Sequence, residues 1–120
     1  MTNKNALYYY TLGVDAFEKK EYVEAIKRFE LSQELMKHFK TLEHLYSCYD
    51  AIGNRTKAKE CIQEAFLLNS NNSRTAVLYA SILLEEGDKN KSLQVVNQVL
   101  EKNPSYNPAK KILERLLSTQ

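Results

Sequence analysis

The stretch LGVDAFEKKEYVEAIKRFELS, Leu12 to Ser32, leaves its imprint twice more along the chain. Leu12-Gly13 is answered by Leu45-Tyr46 and Tyr79-Ala80, 33 and then 34 residues on. Ala25, Ala58 and Ser92 keep the same spacing, as do Phe29, Ile62 and Val96, and Ser32, Ala65 and Val99. Gly53 and Gly87 lie 34 apart, each followed by a short polar residue, Asn54 or Asp88. Self-similarity at this period marks stacked supersecondary units, each of which buries its apolar face only against a neighbour.

Within each period the apolar residues follow helical spacing, as in Leu7, Tyr10, Val14 and Phe17, and in Ala25, Phe29 and Ser32. Strict alternation and glycine-rich hairpin signals are scarce. The pattern predicts helices at 4–19, 22–36, 39–52, 55–68, 73–86, 89–102 and 107–118. Gly53 and Gly87 sit where a helix ends in a left-handed residue, and Asn54 and Asp88 then offer N-cap oxygens to the next helix. Gly13 and Ala80 on first helices are expected to face Ala25 and Ser92 on second ones, letting antiparallel helices approach closely. Tyr46 interrupts that small-residue rule. Its ring is expected either to lean over Ala58 or to splay the second hairpin.

These residues resemble the tetratricopeptide repeat, a helix–turn–helix unit of 34 residues. The first repeat, Ala6 to His38, carries Tyr9, Leu12-Gly13, Ala16, Tyr22, Ala25, Phe29 and Ser32. The second, Phe39 to Asn72, carries Leu42, Leu45, Tyr49, Gly53-Asn54, Ala58, Ile62 and Ala65. The third, Ser73 to Tyr106, carries Ala76, Tyr79-Ala80, Leu83, Gly87-Asp88, Ser92, Val96, Val99 and Pro104. Lys20 replaces the first turn glycine, and Tyr9 falls at a core position where the family favours tryptophan. Residues 107–118 look like the family's terminal capping helix, with Asn107 as cap, Pro108 in the first turn, Leu113 facing the core and Glu114 closing the stack. The resemblance implies an all-α fold, a right-handed α-solenoid of three hairpins and a capping helix, seven helices in a single domain over 1–120, complete at its C-terminus.

Composition narrows the function. In 120 residues, 43% are hydrophobic and 27% charged, which suits one ordinary globular domain. No run approaches the roughly 18 apolar residues of a membrane span, and Met1-Thr2-Asn3-Lys4-Asn5 does not begin a secretory signal. A net charge of +2 with interspersed signs makes no case for nucleic acid. Tyr8-Tyr9-Tyr10 is no stacking platform, because consecutive helical residues point about 100° apart. Cys48 and Cys61 form no Cys-x-x-Cys pair and read as packing residues in a reducing, cytoplasmic setting. His38, expected in a turn, and His44 are six apart, off the spacing that brings two metal ligands to one helical face. Phosphate loops, nucleophile elbows and zinc-binding pairs are absent from the sequence, so neither catalysis nor a cofactor or metal is expected.

What remains is binding. In the resembled family the first helix of each repeat lines a concave groove. Its groove positions fall here on Leu7, Tyr10, Val14 and Phe17 in the first repeat, Lys40, Glu43, His44, Ser47 and Asp50 in the second, and Arg74, Val77, Ser81 and Leu84 in the third. Leu7, Tyr10, Val14 and Phe17 form an aromatic wall expected to stand uncovered and to anchor a partner. Lys40, His44, Asp50 and Arg74 are expected to fix it by polar contacts. The family's dicarboxylate clamp for acidic chaperone tails is not matched: its positions hold Tyr10, Val14, His44, Arg74 and Leu78. The reading is therefore a non-enzymatic adaptor or scaffold for another protein or peptide. The alternatives are a homo-oligomer joined through the first helix and a chaperone-like holder of unfolded secretion clients, with an enzyme a remote fourth.

Overall fold

The computed structural model describes residues 3–118, so the two outermost residues at each end of the expected 1–120 domain, Met1, Thr2, Thr119 and Gln120, lie outside the described residues. Among the described residues there are seven helices and no strands: α1 (Ala6–Glu18), α2 (Tyr22–Leu35), α3 (Phe39–Ala51), α4 (Arg55–Leu68), α5 (Ser73–Glu85), α6 (Lys89–Lys102) and α7 (Asn107–Ser118). Every expected helix is present, with ends moved by two residues at most. The chain divides into two compact units, Met1–Leu68 and Asn69–Gln120. The first holds two hairpins and the second holds one hairpin with α7.

Short polar residues start the helices. Side-chain oxygens of Asn5, Asn54, Asn72 and Asp88 accept from the backbone N–H of Tyr8, Lys57, Thr75 and Lys91 at 3.0–3.2 Å. The three hairpin turns close alike. Glu21, Asn54 and Asp88 donate their N–H groups to the carbonyls of Ala16, Tyr49 and Leu83, while Lys20, Gly53 and Gly87 donate to Phe17, Asp50 and Leu84. This double closure requires a left-handed residue, and φ is 61° at Lys20, 82° at Gly53 and 86° at Gly87. Lysine thus holds, against its Cβ, the conformation that glycine supplies in the other two turns.

In the first unit Ala25, Phe29, Ala58, Ile62 and Ala65 are fully buried, with Leu42, Leu45, Cys48 and Tyr49 of α3 packed among them. Ser32 donates its hydroxyl to the Ala6 carbonyl at 2.8 Å, and the Tyr49 hydroxyl donates to the Glu30 carboxylate, joining α3 to α2. Three expectations change here. A Cβ on Gly13 would meet the Phe29 ring rather than Ala25, because the ring lies flat against the glycine. Tyr46 keeps its ring half-buried against the core while Ala58 stays fully buried. Tyr9 is half-buried instead of lying in the core; its ring meets Tyr8 edge-on at 5.1 Å.

In the second unit Ser92 donates its hydroxyl to the Ala80 carbonyl at 2.8 Å, the close approach expected of two small residues. Tyr79, Ile82 and Leu83 of α5 and Val95, Val96 and Val99 of α6 are buried, and Ala109, Ile112 and Leu116 of α7 are buried with them. The capping helix is therefore turned by one position, roughly 100°, from the expected register. Ile112 takes the core-facing place, Leu113 is half-buried and Glu114 is exposed. Spacing explains this: Ala109, Ile112 and Leu116 form one helical stripe that Leu113 does not share.

Candidate functional site

The Asn5 cap fixes where α1 begins, and helical geometry then puts Leu7, Tyr10, Val14 and Phe17 along one face of it. The first unit covers most of that face itself. His44 of α3 lays its ring 5.5 Å from Tyr10, 5.5 Å from Phe17 and 5.0 Å from the buried Phe29. Gly13 makes this possible, since without a side chain there the Phe29 ring reaches α1. The His44 ring is also held: its Nδ1 lies 2.9 Å from the Lys40 carbonyl, which only accepts, so Nδ1 carries a proton. Tyr10, Val14 and Phe17 are half-buried as a result. The expected uncovered wall is an internal aromatic cluster closed by the histidine. Burial, and secondarily the nearby Glu43 carboxylate, raises the Tyr10 hydroxyl above its ordinary value.

The polar residues expected to fix a partner are partly engaged already. Asp50 is bound by Arg55 at 2.9 Å, and Ser47 donates to the Glu43 carbonyl of its own helix at 3.3 Å. Asp50 therefore has its charge met within the unit, a correction to its expected free role. In the second unit Arg74 is exposed on α5, and Val77, Ser81 and Leu84 are half-buried along the same helix.

What stays open in the first unit lies one turn toward the start of α1. A pocket of about 340 Å³ is lined by Ala6, Leu7 and Tyr10 of α1, Ser32 of α2, Met36 and His38 of the connection, and Lys40 and Thr41 of α3. Leu7 and Met36 are 69% and 64% exposed, a large fraction for apolar side chains beside a cavity. The walls are firm. The Ser32 hydroxyl is bound to Ala6, Thr41 is buried, and His38 caps α3 by accepting from the Lys40 N–H at 3.1 Å while its ring stacks on Phe39. Of the expected residues the pocket collects Leu7, Tyr10 and Lys40. It adds Ala6, Ser32, Met36, His38 and Thr41, which sequence reasoning did not single out. Three separate segments supply them, so no one helical period connects them.

Among the described residues no group of three or more His, Cys, Asp or Glu is placed to hold a metal, and no helix is long and apolar enough to cross a membrane. Cys48 and Cys61 are buried free thiols, pushed by that burial up to about 11 and about 12, which leaves little thiolate at neutral pH.

No protein-family model matches the chain, and no curated protein matches it. Solved structures do. The first TPR of Spaghetti (RPAP3), bound to an HSP90 peptide, is similar with a TM-score of 0.79 and 17% identity, over 99% of this chain and 95% of that one. The Arabidopsis OM64 TPR domain is similar with a TM-score of 0.77 and 13% identity, over 98% of both chains. The chain has the tetratricopeptide-repeat fold. Yeast Tom70 is similar with a TM-score of 0.75 and 27% identity, but there the match covers 93% of this chain and only 23% of the other. Three tetratricopeptide hairpins thus map onto α1–α2, α3–α4 and α5–α6, with α7 following them.

Proposed function

We propose that this tetratricopeptide-repeat chain is a non-enzymatic interaction module that holds a segment of another protein against the α1–α3 face of its first unit. The observation that carries the reading is the pocket between α1, the end of α2 and the start of α3, with Leu7 and Met36 exposed beside it. Pockets that orient a ligand are mostly apolar with a few placed polar groups, and this one follows that rule. Two structures of the same fold carry bound peptides: the RPAP3 repeat domains were solved with an HSP90 peptide and an HSP70 peptide. The partly exposed row Arg74, Val77, Ser81 and Leu84 on α5 offers a separate contact surface of the second unit. The two unpaired thiols suit a reducing compartment, in keeping with a cytoplasmic adaptor.

The test is selection from an array of protein-derived peptides, followed by titration of the best binder into the full chain. Binding should perturb residues of α1 and α3, and Leu7→Asp should weaken it about tenfold, equivalent to about 1.4 kcal/mol. Failure of every peptide to bind, or perturbation confined to the outer faces of α2 and α4, would refute the proposal. Concentration-dependent mass in solution without peptide would instead favour self-association through α1.

A further inference from the structure

Resting on that reading, we infer that the pocket at the start of α1 and α3 takes a bulky apolar side chain from a segment that carries an Asp or Glu within two residues of it. The apolar half of this specificity comes from the lining. Leu7, Met36, Ala6 and the Tyr10 ring surround a space of about 340 Å³, enough to take a side chain of leucine or phenylalanine size.

The acidic half comes from charge. Residues 3–14 and 35–42, which bring the pocket's α1, connection and α3 residues, contain Lys4, Lys37 and Lys40 and no carboxylate. Lys37 has a partner, Glu64, at 3.6 Å. Lys40 lines the pocket, is exposed and makes no ion pair. Both α1 and α3 begin here, and neither has an acid in its first turn to offset the positive end of its dipole. The negative end of α2 is here too, and it is answered within the unit: the Met36 N–H donates to the Ser32 carbonyl at 2.9 Å. His38, with Nδ1 accepting from Lys40 N–H, is left with Nε2–H as a further donor in its neutral form. The local field therefore favours an anion beside the apolar opening.

The same field argues against a second copy of this chain as the occupant. An isologous contact at this face would set two copies of Lys40 and two pairs of helix starts against each other, and like-charge juxtaposition opposes association. A segment with its own carboxylate next to the anchoring side chain meets both features at once.

The probes are three capped pentapeptides titrated into the full chain with labelled methyl groups. They are acetyl-Gly-Asp-Leu-Asp-Gly-amide, the same peptide with both Asp changed to Lys, and the same peptide with Leu changed to Ser. The first should shift the methyl signals of Ala6, Leu7, Met36 and Thr41 saturably and bind at least about tenfold tighter than either control. Lys40→Glu, at an exposed helix start where an acid favours folding, should remove the preference for the acidic peptide. Met36→Gln should weaken the leucine peptide and leave the serine peptide unchanged. Equal response to all three probes, an undiminished acidic preference in Lys40→Glu, or no saturable shift overturns the inference. Peptides from the array that bind without an apolar–acidic pair also overturn it while leaving the binding function standing; failure of all peptides removes both.

Discussion

Gly13 offers a test in which two ordinary effects oppose each other. In mid-helix, replacing glycine by alanine normally gains about 0.8–1.0 kcal/mol. Here an added Cβ would stand 2.6 Å from Cδ1 and Cε1 of Phe29 and 3.0 Å from its Cγ. That ring is fully buried and flanked by His44 at 5.0 Å and Tyr10 at 5.8 Å, so it yields only by moving the cluster. Overpacking of this kind costs about 1–3 kcal/mol. The contact falls on the body of the ring rather than its tip, which puts the cost in the upper half of the range. Gly13→Ala should therefore destabilise the chain by about 1–2 kcal/mol after the propensity gain. Urea unfolding followed by far-ultraviolet circular dichroism should show a lower midpoint at unchanged slope. In a Phe29→Leu background the same substitution should become neutral or stabilising, a coupling of about 1 kcal/mol or more. Gly13→Leu should be worse still, and worse than Tyr46→Leu at the half-buried ring of the second hairpin. A Gly13→Ala protein as stable as the parent, or no coupling to Phe29, would refute the packing argument.

Lys20→Gly should stabilise the chain by about 1 kcal/mol by relieving a left-handed lysine, and Gly53→Ala, with no atom within 4 Å to clash, should lose about as much from backbone strain alone; denaturant midpoints decide both. Folded Cys48 and Cys61 keep their protons to about 11 and about 12, whereas unfolded thiols ionise near about 8.5. The stability due to these raised values is intact below that pH and falls by about 1.4 kcal/mol per pH unit per thiol as pH rises toward the folded values. Cys48→Ala with Cys61→Ala should flatten the alkaline limb of Tm against pH, and an unchanged limb refutes the assignment. Deleting α7 uncovers the second-unit residues that Ile112 and Leu116 cover, at about 1.5–3 kcal/mol for each such side chain, so melting should drop well below the full chain. Unchanged melting would mean that α7 contributes no packing.

The repeat was legible because it is written in positions where one residue size is required. Fully buried Ala25, Ala58 and Ser92 sit where helices touch, and the left-handed turns sit where Gly53 and Gly87 do. Such constraints are local, and a period of 33 or 34 residues exposes them. The face of α1 was legible in the same way: Leu7, Tyr10, Val14 and Phe17 do share it. Its exposure was not, because exposure depends on what a different helix brings. His44 reads in sequence as a polar residue of α3, yet three aromatic rings and a carbonyl of its own helix hold it over that face. Asp50 is likewise claimed by Arg55, five residues on and across a turn. Periodicity assigns a side chain to a face, and the neighbours then decide whether the face stays open. On α1 they close it from Tyr10 to Phe17 and leave Leu7, where Met36, His38 and Lys40 arrive from two other segments. An anchor placed by period alone falls on Tyr10 and Phe17; the folded chain moves it a turn toward the helix start. There the charge is positive and unpaired, so the same displacement that relocates the contact also changes the chemistry of the partner it selects.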